Sequence, residues 1–217
     1  GRYDIGIAFD GDADRCLAVD ELGGLIDGDQ IMAACGLSMK SKGMLPRNTV
    51  VATVMSNLGF HLYAKEQGME LECTDVGDRN VLERMVKQGY RLGGEQSGHM
   101  IFLEHATTGD GQLTALQMLA LLKESGKKAS ELFGACPRYP QVLINIPVAD
   151  NDVKKAAMAS PLLAQAIQRE EEALAGEGRV LVRPSGTEAL MRVMVEAKTQ
   201  ETAQETARRL ADLIPAL

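Results

Sequence analysis

The first two thirds of the chain alternates short apolar runs with longer segments whose apolar residues recur every three or four positions. The short runs predict β-strands, and the longer segments predict helices. Strands that alternate with helices at this spacing are typical of a layered α/β domain. The predicted strands cover residues 3–9, 16–19, 50–54, 70–74, 90–93 and 100–103.

Capping residues set the predicted starts of the helices in this part of the chain. Asp29, Ser56 and Asp78 each precede a helical pattern that they can cap. We expect the helix over residues 113–122 to be well buried, because it is apolar over most of its circumference. The predicted helices cover residues 30–42, 57–67, 79–88 and 111–124.

The pattern changes after residues 137–140, which carry two prolines. Two consecutive strands then flank one tight turn, which predicts antiparallel pairing. We therefore expect a second, smaller α+β domain with an antiparallel sheet. Its predicted strands cover residues 141–146, 179–183 and 190–197, and its predicted helices lie within 160–174 and over 201–213.

The composition fits an ordinary globular protein and limits the kinds of partner that the protein can bind. Apolar residues make up 45% of the chain and charged residues 24%. The net charge of −7 argues against a general nucleic-acid binder. The four cysteines lie far apart without metal-ligand spacing, and no apolar run reaches the roughly 18 residues of a membrane helix. We expect a cytoplasmic protein with buried, reduced thiols that binds neither nucleic acid nor a membrane.

Three carboxylates at alternate positions follow the first predicted strand, in the acidic loop (residues 10–15, DGDADR). Two unit charges about 5 Å apart repel by roughly 3 kcal/mol at an effective dielectric near 20. Converging carboxylates therefore require a compensating charge, and hard divalent cations prefer oxygen ligands. Asp10, Asp12 and Asp14 are the predicted metal ligands, and an ordinary polar turn is the alternative.

A second polar cluster, the glycine loop (residues 93–99, GGEQSGH), lies between two predicted strands. Its glycines allow positive φ angles and close approach of a ligand to the backbone. Glu95, Ser97 and His99 can exchange hydrogen bonds with sugar hydroxyls. The alternative is a polar hairpin turn.

A third cluster, the anion loop (residues 183–188, RPSGTE), lies between the last two strands. Its proline presets a turn, and its glycine leaves backbone amides open to form an anion-binding nest. Two hydroxyls and nearby arginines add donors suited to phosphate, which a simple hairpin turn does not explain. The predicted phosphate ligands are Arg183, Ser185, Gly186, Thr187 and Arg192.

The acidic loop also has the spacing of an EF-hand, which is an alternative from another functional class. Asp10, Asp12, Asp14 and Glu21 match positions 1, 3, 5 and 12 of a calcium-binding loop. Position 6 is Arg15, where the sharp turn requires glycine, and strands rather than helices are predicted on both sides. A non-catalytic calcium-binding module is therefore the weaker interpretation.

Taken together and in this order, the three loops resemble those of the α-D-phosphohexomutase superfamily, over essentially the whole chain. The superfamily's metal loop is D-G-D-G-D-R, and Ala13 here replaces its middle glycine. Its sugar loop G-E-x-S-G-H appears as residues 94–99, where Gln96 favours the phosphoglucosamine branch over phosphomannomutase/phosphoglucomutase relatives. Residues 53–59 and 76–79 resemble the same branch. The phosphate loop R-P-S-G-T-E is intact, although Ala189 stands where the superfamily usually has proline.

The resemblance implies three domain segments. Residues 1–22 would be the tail of the second domain, 23–136 the α/β third domain, and 137–217 the phosphate-binding fourth domain. The superfamily's nucleophile is a phosphoserine in a T-A-S-H-N-P-like loop of its first domain, and no such sequence occurs here. The chain also opens without methionine. We therefore expect a C-terminal piece that lacks the N-terminal domains and is catalytically incomplete alone.

The resemblance further implies a Mg²⁺-dependent intramolecular phosphotransferase that interconverts glucosamine 6-phosphate and glucosamine 1-phosphate. The reaction would pass through the phosphoserine and glucosamine 1,6-bisphosphate, and its product would feed UDP-N-acetylglucosamine and peptidoglycan precursors. The three aspartates would hold the metal, the glycine loop the sugar and the anion loop the phosphate. Arg15, Arg79 and His99 would stabilise charge or shuttle protons. Implied partners are the sugar phosphate, the N-terminal domains and a second copy in a homodimer.

Overall fold

The computed structural model of the protein describes residues 3–216 and divides the chain into two compact units, with the division between Arg138 and Tyr139. The strands are β1 (Ile5–Phe9), β2 (Cys16–Asp20), β3 (Leu25–Ile26), β4 (Thr49–Thr53), β5 (Glu70–Thr74), β6 (Leu92–Gly94), β7 (Met100–Phe102), β8 (Gln141–Pro147), β9 (Gly178–Pro184) and β10 (Leu190–Ala197). The α-helices are α1 (Gly28–Ser41), α2 (Leu58–Glu66), α3 (Asp78–Gln88), α4 (Gly111–Ser125), α5 (Ala129–Phe133), α6 (Asn151–Ala159), α7 (Pro161–Ala173) and α8 (Gln200–Leu213). Short 3₁₀ helices cover Pro46–Asn48 and Ile214–Ala216.

The first unit is built on a four-stranded sheet with the order β5-β4-β6-β7. β4 pairs in parallel with β5 and β6, and β7 pairs antiparallel with β6. Val50 and Ala52 of β4 face the main core, whereas Val51 faces a smaller cluster with Val81 and Met85 of α3. A central strand buried on both faces needs helices on both sides of the sheet. The predicted layered α/β fold is confirmed.

β1, β2 and β3 form a separate antiparallel sheet in the same unit. β1 pairs with β2 from Ile5 opposite Asp20 to Phe9 opposite Cys16. Because this last pair closes the ladder, residues 10–15 form the hairpin connection between the two strands. The acidic loop is therefore held at both ends by the sheet, and buried Cys16 anchors one end in the main core.

The caps of three helices lie one or two residues away from the predicted positions. Asp27, not Asp29, caps α1, since its Oδ1 accepts the Gln30 amide at 3.2 Å and the Gln30 side chain accepts the Asp27 amide at 3.3 Å. Asn57, not Ser56, caps α2. α3 likewise begins at the residue predicted as its cap. Neighbouring Asp, Asn and Ser residues have similar capping ability, so the local sequence does not distinguish them.

The prediction that the long helix α4 is well buried is wrong. Gly111, Thr114, Ala115 and Met118 are buried, but Leu116 is 65% exposed. The core of the first unit contacts α4 along one face only. Apolar residues around the whole helix therefore do not show that every face is packed against another element.

The second unit is a three-stranded antiparallel sheet with the order β8-β10-β9, as predicted. α8 packs on it through the predicted apolar face, which includes buried Ala203, Ala207 and Leu210. α6 is an element that the sequence pattern did not predict. Asp150 caps it, because its Oδ1 accepts the amides of Asp152 and Val153 at 2.9 Å.

The four cysteines are free thiols. Cys16, Cys35 and Cys136 are buried as expected, whereas Cys73 is half-buried. Burial raises the pKa of the Cys16 thiol to about 11, which makes this thiol a poor nucleophile.

Helices in the described part of the chain, residues 3–216, are too short or too polar to cross a membrane.

Candidate active site

The acidic loop brings its three carboxylates together. Asp10, Asp12 and Asp14 each offer one oxygen, and these oxygens lie within 4.8 Å of one another. The Ala13 amide donates to the Asp10 carbonyl at 3.2 Å, and the Arg15 amide donates to Asp10 Oδ1 at 3.2 Å. These two bonds curl the loop so that alternate side chains converge. Three hard oxygen donors in one half-shell fit a divalent cation.

The electrostatics of the acidic loop agree with such a cation. Burial raises the pKa of Asp14, and the neighbouring carboxylates Asp12 and Asp10 raise it further. Arg15 is the nearby cation, with its Nε 3.7 Å from Asp10 Oδ2 and 3.9 Å from Asp14 Oδ1. At these distances the guanidinium balances only part of the negative charge. The residues present therefore fit a bound divalent metal.

The glycine loop lies directly against the acidic loop. The Cys16 amide donates to the Gly98 carbonyl at 3.0 Å, and Arg15 and His99 form an antiparallel bridge. Gly98 has a φ of +95°, and an added Cβ would lie 2.5 Å from the Cys16 carbonyl oxygen. Glycine is therefore required there, and the sequence signal of the loop has a steric cause.

A cleft of about 450 Å³ opens beside these two loops. β4, β5 and β6 are parallel, and the cleft lies where they end, with Thr53, Val76 and Glu95 on its wall. Ligands of open α/β sheets bind at this edge. Arg15 and Ser97 also line the cleft, so the structure places three predicted site residues around one cavity.

The Glu95 carboxylate is fixed by the backbone. Its Oε1 accepts the Gly77 amide at 3.0 Å, and its Oε2 lies 3.4 Å from the Ser97 hydroxyl. One oxygen is thus used to hold the loop that follows β5, while the other and Ser97 are available to a ligand.

His99 is buried rather than open to the cleft. It is 4% exposed, with its Nε2 3.7 Å from Asp14 Oδ2 and 3.9 Å from Asp78 Oδ2. Gly109 packs on the imidazole, and a Cβ there would come within 2.1 Å of Nε2. The structure therefore joins His99 to the acidic loop rather than to the wall that carries Glu95 and Ser97.

Arg79 is a second predicted catalytic residue that the structure does not bring to the cleft. Its side chain is 86% exposed, and its Nε donates to Glu83 Oε1 at 2.8 Å along α3. The pair is an ordinary i,i+4 helix contact.

Asp29 is a site-supporting residue that sequence reasoning assigned to a different role. It is 2% exposed, and its Oδ2 accepts the Asn57 amide at 2.7 Å and the Gln96 side-chain amide at 3.2 Å. The Gly28 amide also donates to the Gln96 carbonyl at 3.0 Å. The start of α1 thus holds the glycine loop in place. In the sequence, the only local sign that Asp29 supports the glycine loop is its position two residues after Asp27, which caps α1.

The anion loop is the connection between β9 and β10 in the second unit. Arg183 lies directly opposite Arg192 across these strands, and burial together with the Arg192 charge lowers the pKa of Arg183. The Ser185 amide donates to Leu190 at 2.8 Å, and the Ser185 hydroxyl accepts the Glu188 amide at 3.2 Å. Two like charges side by side next to a tight loop form a site suited to an anion.

The remaining phosphate candidates fall in the same loop. Gly186 and Thr187 are exposed at its tip, whereas Ser185 is 4% exposed. All five predicted phosphate ligands are therefore close in the fold of this unit, with Ser185 shaping the turn.

The EF-hand interpretation is wrong. The acidic loop is flanked by strands β1 and β2. Glu21, its proposed twelfth position, accepts hydrogen bonds from the amide and hydroxyl of Ser130. The Glu21 carboxylate therefore binds α5 rather than completing a calcium-binding loop.

Sequence comparison identifies the family. Residues 27–139 match the family model described as phosphoglucomutase/phosphomannomutase, alpha/beta/alpha domain III, and residues 143–213 match the C-terminal domain. The chain is 57% identical over 211 residues to a phosphoglucosamine mutase of Thermoanaerobacter sp. (strain X514), covering 97% of this chain and 47% of the relative. It is 54% identical over 213 residues to that of Caldanaerobacter subterraneus subsp. tengcongensis, with 98% and 47% coverage. The chain spans about half the length of the curated relatives it matches.

Solved structures share the fold. An N-acetylphosphoglucosamine mutase of Aspergillus fumigatus superposes with a TM-score of 0.82 at 23% identity, over 97% of this chain and 48% of that one. The same enzyme in complex with GlcNAc-6P and magnesium gives 0.80 at 25% identity, over 96% and 48%. The two family matches together cover most of the chain, and the chain belongs to the phosphoglucomutase/phosphomannomutase family, of which it carries domain III and the C-terminal domain.

Proposed function

We propose that this chain provides the metal, sugar and phosphate loops of a phosphoglucosamine mutase. This enzyme interconverts glucosamine 6-phosphate and glucosamine 1-phosphate. The observation that carries the proposal is the Cys16–Gly98 hydrogen bond at 3.0 Å, which holds the converging carboxylates beside the cleft that Glu95 and Ser97 line. The identity of 54–57% to phosphoglucosamine mutases supports the choice of substrate class.

Asp10, Asp12 and Asp14 would hold Mg²⁺ through one oxygen each. Bound there, the cation would neutralise negative charge as a phosphoryl group moves between the enzyme and the sugar. The Aspergillus relative that shares this fold was solved with magnesium and GlcNAc-6P, and another solved structure of it contains glucose 1,6-bisphosphate. Both support a magnesium ion and a hexose bisphosphate here.

The cleft residues would recognise the sugar. Glu95 Oε2 would accept hydrogen bonds from two neighbouring hydroxyls, and the Ser97 hydroxyl would exchange one more. These groups do not distinguish the two ends of the sugar, which suits a substrate that is phosphorylated at either end. Arg15 is the last residue of the acidic loop and lines the cleft, so its guanidinium would balance the charge of the reacting phosphate.

The other two charge-stabilising candidates act differently. His99, buried beside Asp14, would set the orientation of that carboxylate. Arg79 would first have to leave Glu83 before its guanidinium could reach a substrate phosphate.

The anion loop would bind the phosphate that is not reacting. Arg183, Arg192, Thr187 and the amides of the loop tip supply donors, and alternate binding of either phosphate would let the bisphosphate turn over. The nucleophilic phosphoserine would come from the N-terminal domains of the longer enzyme. We propose that this enzyme acts in the cytoplasm and that its product is used to make UDP-N-acetylglucosamine. A homodimer stays a prediction.

Titration of the 217-residue chain tests this function. We expect Mn²⁺ to bind, as a probe for Mg²⁺, and glucosamine 6-phosphate to bind more tightly than mannose 6-phosphate. In a coupled mutase assay with glucose 1,6-bisphosphate, we expect no turnover by the chain alone. Tighter binding of mannose 6-phosphate would favour a phosphomannomutase/phosphoglucomutase. Robust turnover by the chain alone would contradict the expectation that catalysis needs the N-terminal domains.

A further inference from the structure

Lys154 of α6 lies beneath the anion loop with its side chain buried. Its Nζ donates hydrogen bonds to the carbonyl of Ser185 at 2.9 Å and to the carbonyl of Glu188 at 2.5 Å. The residue is 7% exposed. These two carbonyls bracket Gly186 and Thr187, so the lysine ties both ends of the loop tip to the helix.

The planarity of the peptide group gives these bonds a consequence for ligand binding. In a trans peptide the carbonyl of one residue and the amide of the next point in opposite directions. When Lys154 draws the Ser185 and Glu188 carbonyls inward, the amides of Gly186 and Ala189 must point outward. Outward-pointing amides on a tight turn are the donors of an anion-binding nest.

The ammonium also adds positive charge. Among the described residues, no carboxylate lies within ion-pair distance of the Lys154 ammonium, and its hydrogen bonds go to the two carbonyls. A buried ammonium without a counter-charge is costly. Arg183 and Arg192 add two further positive charges, and Glu188, which pairs with Arg192 at 2.6 Å, offsets one of them. The excess around the loop is positive, and a bound phosphate dianion would balance it.

We propose that Lys154 is a positioning residue for the phosphate site, which turns the loop amides outward and supplies a counter-charge from beneath without contacting the phosphate. This inference rests on the proposed function, because it takes the anion loop as the site of the substrate phosphate. It assigns to α6, which carries none of the predicted ligands, a part in binding.

Phosphate titration of the 217-residue chain, followed by the backbone amide signals of Gly186 and Ala189, tests this role. Lys154→Met removes charge and donors, and Lys154→Gln removes the charge but keeps a donor. Lys155→Met is the matched control, because the Lys155 side chain is 80% exposed and its ion pair is with Asp152 at 3.5 Å. The affinity for inorganic phosphate is measured for each folded variant at several salt concentrations.

We expect Lys154→Met to weaken phosphate binding at least tenfold, Lys154→Gln to weaken it less, and both to lower its salt dependence. Lys155→Met should bind within twofold of the wild type. If Lys154→Met does not fold, Lys154→Gln decides. A folded Lys154 variant with unchanged affinity and salt dependence would overturn the positioning role alone. Failure of the wild-type amides to respond to phosphate would contradict this role and the proposed phosphate site together.

Discussion

The amide of Cys16 and the carbonyl of Gly98 join the acidic loop to the glycine loop through a 3.0 Å hydrogen bond. The contact requires glycine at position 98, where φ is +95° and a Cβ would meet the Cys16 carbonyl. Metal ligation and sugar recognition are therefore two parts of one backbone arrangement. A change in either loop should affect both.

Ala13 is strained, and its replacement by glycine should stabilise the chain. Its φ of +59° lies in the left-handed region, which costs a residue with a Cβ roughly 1–2 kcal/mol. We expect Ala13→Gly to raise the free energy of unfolding of the first unit by about 0.5–1 kcal/mol, net of the added entropy of the unfolded chain. Urea unfolding measures this.

The control for Ala13 is Ala175→Gly. Ala175 has a φ of +50° in the second unit, so it should show a similar gain without any change in Mn²⁺ affinity. A loss of stability in Ala13→Gly would contradict the strain at position 13.

Removing one carboxylate of the acidic loop should weaken metal binding without unfolding the protein. Asp12 is exposed, and we expect Asp12→Asn to reduce the affinity for Mn²⁺ about 10- to 100-fold, because one of three converging charges is lost. Calorimetric titration measures the change. Asp152→Asn, whose side chain is 91% exposed on α6, should bind Mn²⁺ as the wild type does. Equal Mn²⁺ affinities of the two variants would show that the acidic loop does not bind the metal.

Phosphate should stabilise the second unit, because it relieves the repulsion between Arg183 and Arg192 across β9 and β10. At about five times its dissociation constant, phosphate adds about 1 kcal/mol, which raises the melting temperature of a unit this size by about 4–8 °C. Arg183→Met should lose most of this shift. Sodium chloride at equal ionic strength is the control for screening, and an equal shift with chloride would argue against a specific anion site.

The stability of the second unit should fall in acid as Glu170 is protonated. Arg209 forms two hydrogen bonds of 2.8 Å to Glu170, and this contact lowers the pKa of the Glu170 carboxyl. A carboxyl whose pKa is lower in the folded state stabilises the protein above its unfolded pKa of about 4.3, and the contribution is lost as the pH falls through the folded value.

Glu170→Gln should therefore lower the free energy of unfolding by about 0.5–1 kcal/mol at pH 7, and the difference from wild type should vanish near pH 2. Glu171→Gln, at an exposed neighbouring position, should match wild type at every pH. A difference between Glu170→Gln and wild type that persists at pH 2 would show that the contact acts through packing rather than charge.

The sequence was sufficient for the fold class because the central strands carry strong apolar patterns. β5 and β10 begin and end at the predicted residues. The cap of α1 was misplaced because Asp27 and Asp29 have the same local chemistry. Only the tertiary structure shows that Asp27 caps the helix while Asp29 binds Asn57 and Gln96.

The candidate site could be predicted where backbone geometry demands particular residues, as at Gly98. It could not be predicted where a role depends on a distant neighbour. Lys154 lies 31 residues from Ser185 in the sequence, and nothing in the α6 segment indicates a buried ammonium. Arg79 is the reverse case: the motif predicted a role in the site, but its side chain is exposed to solvent and pairs with Glu83.

The central claim is tested most directly by joining this chain to the N-terminal half of the Thermoanaerobacter phosphoglucosamine mutase, to which it is 57% identical over their shared 211 residues. The coupled assay compares glucosamine, glucose and mannose 6-phosphates with Mg²⁺ and glucose 1,6-bisphosphate present. We predict turnover that is highest with glucosamine 6-phosphate, that chelation of Mg²⁺ abolishes and that Asp12→Asn greatly reduces. A folded fusion protein that does not convert glucosamine 6-phosphate, or that prefers mannose 6-phosphate, would contradict the account.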